Sequence, residues 1–362
     1  MLSPWSLPTR SLLPYSSGKI HSDSQREEIA LPKEVGVTRR QGLRSAAAAA
    51  IAVPLLTTAG SSQPATAGEH AGALNVMTFN VRFATVVDET PRWSVRRPVM
   101  RELLRRERPH VIGTQEGLYQ QLRMIERDLG GHYDWIGTGR GGGSKDEFMA
   151  ILYDTRRLDP IEFDHFWLSD TPYTIASNTW DADWLRMVTW VKFADLADGG
   201  REFYVLNTHL DSVSQYARER SAGLIGETIA GWDRSAPVIV TGDFNAAAHD
   251  NRVYDLMLDS GLVDAWDRAA SRSPAYGTYH GYRALKPDGR RIDWILTSPG
   301  VTTHWAAMNT FSVDGLYPSD HLPVQASVAL GRLGRSQEVQ PLRVLISSVS
   351  CGTTSKRSPT TP

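Results

Sequence analysis

The chain has 362 residues, 41% of them hydrophobic and 22% charged, which is the composition of a soluble globular protein long enough to bury a large core. Its single cysteine, Cys351, excludes an internal disulfide framework and any thiolate zinc site. The net charge of -1 conceals an acidic middle: residues 68–330 hold 27 Lys+Arg against 35 Asp+Glu, which disfavours a protein that tracks long nucleic acid along a basic stripe.

Residues 1–67 do not read as fold. Arg39-Arg40 precede the small apolar run Ser45 to Leu56, and Ala65-Thr66-Ala67 follows, so a twin-arginine export signal cut after about Ala67 is expected. The apolar run is too short to span a bilayer, and the mature product is expected to be extracytoplasmic, without stable membrane association and monomeric.

From Leu74 the pattern is regular. Leu74 to Asn80 is predicted as a strand, followed by a helix with Val95, Val99, Leu103 and Leu104 on one face and Pro98 near its first turn. His110 to Glu116 forms the next strand, and a second helix carries Leu118, Leu122, Ile125 and Leu129 before stopping at Gly130-Gly131. Gly137-Thr138-Gly139-Arg140-Gly141-Gly142 has the letters of a dinucleotide fingerprint but precedes a strand, Glu147 to Tyr153, where that fingerprint must open a helix. It therefore reads as a mobile glycine loop.

Strands are expected at Phe163 to Leu168, Met187 to Phe193 and Glu202 to Leu206. Among the intervening tryptophans most are core, and Trp180 or Trp184 is the candidate stacking platform. Ser214 to Trp232 is a helix with Tyr216, Leu224 and Ile229 inward, and Asn251 to Asp259 a shorter one. Between them Pro237 to Asn245 is a buried strand whose end presents Asp243 and Asn245 on one side and Phe244 on the other, with Gly242 allowing close approach to a ligand. Strands follow at Arg291 to Leu296, Trp305 to Phe311 and Leu322 to Leu330. Residues 331–362 read as a disordered tail.

The strand ends carry Asn80, Glu116, His209 with Asp211, Asp243 with Asn245, Asp293, and Asp320-His321. Any one of these is a turn or cap residue by default. Six such ends together point to one crevice, because open α/β sheets gather their strand ends. Oxygen donors without cysteine suit Mg²⁺ or Mn²⁺, and the chemistry that needs carboxylates, amides and imidazoles together is metal-assisted phosphoester hydrolysis. Asp243 with Asn245 is the natural pair to orient a water, and Asp293 is placed to fix the tautomer and charge of His321.

The set Thr78-Phe79-Asn80, Gln115-Glu116, Asn207-Thr208-His209-Leu210-Asp211, Gly242-Asp243-Phe244-Asn245, Arg291-Ile292-Asp293 and Ser319-Asp320-His321-Leu322-Pro323-Val324, in this order, resembles the endonuclease/exonuclease/phosphatase superfamily. The resemblance implies a four-layer α/β (α+β) sandwich, two packed mixed β-sheets flanked by helices, over residues 68–330. It implies Glu116 as principal metal ligand with Asn80 and Asp320, Asp243 as the residue activating the water, Asn245 as its companion, His321 with Asp293 at the phosphate, and His209 as a second histidine. Arg186 and Arg140 are the expected extra contacts to substrate. The implied activity is that of a Mg²⁺-dependent phosphoesterase. A phosphodiesterase or nuclease comes first among the substrates, with a phosphomonoesterase or a sphingomyelinase-like enzyme as alternatives. A catalytically silent binding protein on the same fold is the alternative of another class. A two-carboxylate glycosidase leaves the histidines without a task.

Overall fold

The computed structural model describes residues 72–84 and 91–331; the export signal expected in residues 1–67 and the tail from residue 332 onward lie outside the described residues. In chain order the elements are β1 (Leu74–Asn80), α1 (Trp93–Glu107), β2 (Val111–Gln115), β3 (Gly117–Leu118), α2 (Tyr119–Leu129), β4 (Tyr133–Ile136), β5 (Glu147–Phe148), β6 (Ile151–Asp154), β7 (Leu158–Trp167), β8 (Met187–Asp195), β9 (Arg201–His209), α3 (Gln215–Ala230), β10 (Val238–Asp243), α4 (Arg252–Asp259), β11 (Val263–Asp264), α5 (Ala265–Arg268), β12 (Ser271–Arg272), β13 (Asp293–Thr297), β14 (Thr302–Met308) and β15 (Val324–Ala329). None of the described helices is long and apolar enough to cross a membrane.

Two large mixed sheets result, ordered β12-β14-β15-β1-β2-β6-β4 and β11-β13-β10-β9-β8-β7. Strand alternation explains why they stack. On β1, Leu74 and Val76 face the other sheet, joining Val111, Val205, Ile239 and Ile295 in the central core, while Met77 and Phe79 face Leu103, Leu104, Leu122 and Ile125 of α1 and α2. On β10, Ile239 points to the central core, while Val238 and Val240 pack on Ile225 of α3 and Val253 and Met257 of α4. Each sheet thus has one face toward its partner and one covered by helices, the expected four-layer sandwich.

The two halves share a plan that fixes where strands end. β1 lies between parallel β2 and antiparallel β15, and β10 lies between parallel β9 and antiparallel β13. The C-terminal ends of β1, β2, β9 and β10 therefore fall at the same edge as the N-terminal ends of β13 and β15. Asp243 sits opposite Asp293 in the β10–β13 register.

Toward that edge the sheet interface turns from apolar to polar. Gln115 Nε2 donates to Asn207 Oδ1 at 2.7 Å, and Asn207 Nδ2 donates to the carbonyls of Thr114 (2.8 Å) and Ala150 (3.0 Å). Thr241 Oγ1 also donates to Asn207 Oδ1, at 3.1 Å. Gly113 makes room for this knot, since a methyl group there would lie 2.0 Å from Thr241 Oγ1 and 2.7 Å from Asn207 Oδ1. Gly113→Ala is expected to destabilise the fold by about 2–3 kcal/mol, through overpacking and a broken buried network. Urea denaturation checks it, and an unchanged midpoint would show that the sheets can part without cost.

Several local expectations are corrected. Val95 is exposed and only Val99, Leu103 and Leu104 of the expected face are buried; Pro98 lies inside α1 just past its first turn, where it lacks the N–H for the carbonyl one turn back. Leu118 belongs to β3 and precedes α2. Tyr216 is 60% exposed, because the buried face of α3 is Ala217, Ser221, Ala222 and Ile225. The run Glu147 to Tyr153 breaks at Met149-Ala150, where the Ala150 carbonyl turns to the Thr114 N–H. The glycine segment is a closely bonded turn, with Gly139 N–H donating to Gly143 and Arg140 N–H to Glu147. Gly242 is needed for close approach to the Thr208 carbonyl of β9 and to Phe244, not to a ligand.

Candidate active site

The strand ends open into a cleft of about 530 Å³, lined by Glu116, His209, Asp243, Asn245, Asp320 and His321, with Arg140 and Arg186 in its wall. Asn80 and Asp293 stand behind these groups, wholly buried. Residues separated by more than 200 positions in sequence therefore meet in one place.

Three chain reversals aim the side chains. After β2, Glu116 has φ +64°; after β10, Asn245 has φ +48°; just beyond β1, Arg82 has φ +49°. The left-handed region is costly for such residues outside Asn, and its use at three neighbouring strand ends is the pattern of a site held in place by its surroundings. The Glu116 carboxylate accepts from Asn80 Nδ2 at 2.8 Å and from the Phe83 N–H at 3.2 Å.

Asp243 is the hub. Its Oδ1 accepts from the Asn245 N–H (3.0 Å) and its Oδ2 from Asn80 Nδ2 (3.0 Å). Two imidazoles approach the same oxygen, His209 Nε2 at 3.5 Å and His321 Nε2 at 3.7 Å. On its far side His321 Nδ1 lies 3.0 Å from Asp293 Oδ2. Phe244 turns away and stacks on Trp294 at 4.2 Å, as the strand period requires.

The two histidines are driven apart electrostatically. Burial would deprotonate His321, but the carboxylates of Asp293 and Asp243 outweigh it and hold the ring well above the usual histidine range, as an imidazolium. Burial, reinforced by the Arg186 charge, pushes His209 well below that range, so it is neutral. Asn245 Nδ2 donates to the Leu210 carbonyl (3.0 Å) and lies 3.1 Å from His209 Nε2, which in the neutral ring accepts from it when the proton is on Nδ1; no described residue donates to Asn245 Oδ1. Burial, and then the Asp293 charge, push the Asp243 carboxyl up to about 7.

The ligand atoms of Asp243, Asp293 and His321 lie within 4.8 Å of one another, close enough to hold an ion. A proton accounts for that closeness, since an imidazolium between two buried carboxylates needs no other cation. Glu116 is the better donor to a hard divalent ion: it is at the cleft, and each oxygen accepts only one hydrogen bond from the described residues, so lone pairs remain. Asn80 is placed differently from the expectation. Its Oδ1 accepts from the Arg82 N–H and its nitrogen faces two carboxylates, so it bridges Glu116 and Asp243 and offers no oxygen to the cleft. Asp320 lines the cleft with its Oδ2 on Arg82 Nη1 at 2.6 Å.

The two arginines expected to meet substrate part company. Arg140 is bidentate to Glu147, with Nη1 and Nη2 at 3.0 and 3.1 Å, and its Nε lies 3.0 Å from Asp146. The Arg186 side chain makes no hydrogen bond to any described residue, and its ion pair with Asp211 is long, at 3.7 Å. Trp180 is buried and excluded as a stacking platform, whereas Trp184 is 54% exposed at the rim, 5.5 Å from the Arg140 guanidinium. Sequence reasoning passed over Arg82 and Tyr279, whose ring lies 5.0 Å from that of His321. The signal for Arg82 was its place two residues past Asn80; a tyrosine in a loop carries no signal.

Known proteins share this fold. An endonuclease/exonuclease/phosphatase from Bacteroides vulgatus superposes with a TM-score of 0.67 at 29% identity, over 71% of this chain and 99% of that one. A mannosyl-6-phosphatase of Bacteroides thetaiotaomicron gives 0.65 at 32% identity with the same coverage. The catalytic domain of human Nocturnin, solved with a sulfate anion, gives 0.57 at 17% identity, over 71% and 94% of the two chains, a likeness of fold alone. No curated protein matches in sequence. The family model described as Endonuclease/Exonuclease/phosphatase family matches residues 77–321, from the middle of β1 to His321, and the chain belongs to that family of phosphoester hydrolases.

Proposed function

We propose that the cleft hydrolyses a small phosphoester with the help of a divalent cation, Mg²⁺ or Mn²⁺. The observation that carries this is the meeting of Glu116, Asp243, Asn245, His209 and His321 around one opening. Glu116, with Asp320, would hold the cation, which when bound polarises the phosphoryl group and carries charge on the leaving oxygen. The remaining work belongs to the chain. Asp243, a carboxyl pushed up to about 7, takes the proton of the attacking water near neutral pH. The free Asn245 Oδ1 holds the second hydrogen, and His209 fixes that amide. The His321 imidazolium donates to a phosphoryl oxygen, where negative charge gathers in the transition state.

The acidic middle of the chain and a cleft sized for a small molecule favour a small substrate over polymeric nucleic acid. The relative named for mannosyl-6-phosphate directs the panel toward hexose phosphates. Residues 1–67 are part of the reading as an export signal, supported by Arg39-Arg40 and the run after them. The test is turnover of p-nitrophenyl phosphate, bis(p-nitrophenyl) phosphate, hexose 6-phosphates and single-stranded RNA with Mg²⁺ and with chelator. Metal-dependent hydrolysis of a small ester is expected, and inactivity on every one of them would overturn the proposal. Glu116→Gln is expected to raise the Mg²⁺ concentration for half-maximal rate at least about tenfold, checked by metal titration.

A further inference from the structure

Arg186 is the buried arginine of the site whose guanidinium no described residue hydrogen-bonds. It is 4% exposed and lies in the cleft wall at the start of β8, between Trp184 and the core residue Met187. Its Nε and Nη1 have no hydrogen-bond partner among the described residues. The nearest carboxylate, Asp211, stands 3.7 Å from Nε and is otherwise engaged: its Oδ1 accepts from the Val213 and Ser214 N–H groups and its Oδ2 from the Trp184 N–H. Arg140, equally buried, is bidentate to Glu147 and has the Asp146 carboxylate 3.0 Å from its Nε. Buried guanidinium groups are paired as a rule, because the desolvation they suffer is otherwise unrecovered. A side chain kept in this state at a cleft is suited to an anion that arrives with the ligand.

The anion can be specified. A phosphodiester is a monoanion with two non-bridging oxygens, which the cation and His321 suffice to meet. A phosphomonoester is a dianion with three, and the third needs a donor and a countercharge. Asn245 Nδ2 is committed to His209 and Leu210, and the neutral His209 carries no charge and accepts at the nitrogen that faces Asn245, so neither supplies both. We propose that Arg186 binds the third non-bridging oxygen of a phosphomonoester and so selects phosphomonoesters over phosphodiesters. This rests on the assignment of the cleft as a phosphoesterase site.

The test compares the full chain with Arg186→Met, which keeps the volume, and Arg186→Lys, which keeps the charge. Calorimetric titration with inorganic phosphate in the presence of chelator reads the subsite without turnover. Binding to the parent protein should weaken at least about tenfold in Arg186→Met and less in Arg186→Lys, as for loss of a charge-assisted contact. With Mg²⁺, kcat/KM for p-nitrophenyl phosphate should fall about 100-fold in Arg186→Met, while that for bis(p-nitrophenyl) phosphate changes by less than about threefold. Arg186→Met also leaves the buried Asp211 without its 3.7 Å partner, so its melting temperature is measured alongside to establish that the variant is folded. Equal phosphate affinity in parent and Arg186→Met, no phosphate binding by the parent, or an equal loss on both esters would overturn the inference. A parent that binds phosphate through Arg186 but hydrolyses neither ester would support the subsite and refute the hydrolase assignment instead.

Discussion

Asp243→Asn is expected to lower kcat by about 10³-fold or more, with KM changed far less and the melting temperature not lowered. The carboxylate sits where both imidazoles, Asn80 and the Asn245 backbone converge, and of the two cleft carboxyls pushed up to about 7 it is the one at the histidines, the other, Glu147, being taken by Arg140. Removing a positioned base costs on the order of 10²–10⁴ in rate. Asparagine fills the same space, but its amide nitrogen must face either the Asn80 amino group or the Asn245 N–H, a donor against a donor, at a cost of about 1–3 kcal/mol. Against this stands the relief of a buried charge. A carboxyl whose pKa is higher folded than unfolded holds its proton more tightly when folded. Its ionisation therefore leaves stability intact below about pH 4 and erodes it as pH rises toward 7, by about 1.4 kcal/mol for each pH unit climbed between those two values. At pH 8 the relief is at least as large as the mispairing, so stability holds while turnover goes. Activity within tenfold of the parent would remove Asp243 from the chemistry, and a collapse in melting temperature would assign it to the fold.

What the sequence disclosed and what it withheld follow from how each feature is encoded. The side-chain period of a strand is local, so Asp243 and Asn245 on one side and Phe244 on the other could be read directly, and the structure bears this out with Phe244 stacked on Trp294. That six strand ends converge followed from sheet geometry, although it took the paired parallel and antiparallel neighbours of β1 and β10 to put the starts of β13 and β15 at the same edge as the ends of four other strands. Helix faces were less secure: Val95 and Tyr216 fit a helical stripe by spacing, but burial depends on how wide a face the sheet covers, and both fell outside it. The hydrogen-bond partners of Asn80, Arg140 and Arg186 were not legible. An amide's orientation is set by a neighbour, here the Arg82 N–H, and one buried arginine differs from another only by the acids that tertiary packing brings to it. The Gln115–Asn207–Thr241 knot was hidden for the same reason, since its members lie in three strands of two sheets.

Asp293→Asn is expected to move both limbs of the pH–rate profile to lower pH, by about one unit, and to lower the maximal rate about 100-fold. Asp293 is wholly buried, so no solvent screens it from its neighbours. Its charge acts on two groups in the same direction. Burial depresses His321, and Asp293 is the largest of the influences that restore and raise it; without that charge the imidazolium loses its proton at lower pH, and the alkaline limb, where the donor to the phosphoryl oxygen is lost, moves down. Burial is the first cause raising Asp243 and the Asp293 charge the second, so the acid limb, where the base becomes protonated, moves down as well. Asparagine can still accept from His321 Nδ1, which lies 3.0 and 3.3 Å from the two oxygens, so the ring keeps its place and the change is mainly one of charge. A role for Asp293 in folding alone would lower the rate at every pH without moving either limb. Substitution of a surface acid such as Asp170, exposed and far from His321 in the chain, supplies the control, since it should leave both limbs where they are. Limbs that stay in place in Asp293→Asn, or that move apart, would mean that His321 and Asp243 do not set the profile, and the division of labour between donor and base would have to be given to other groups.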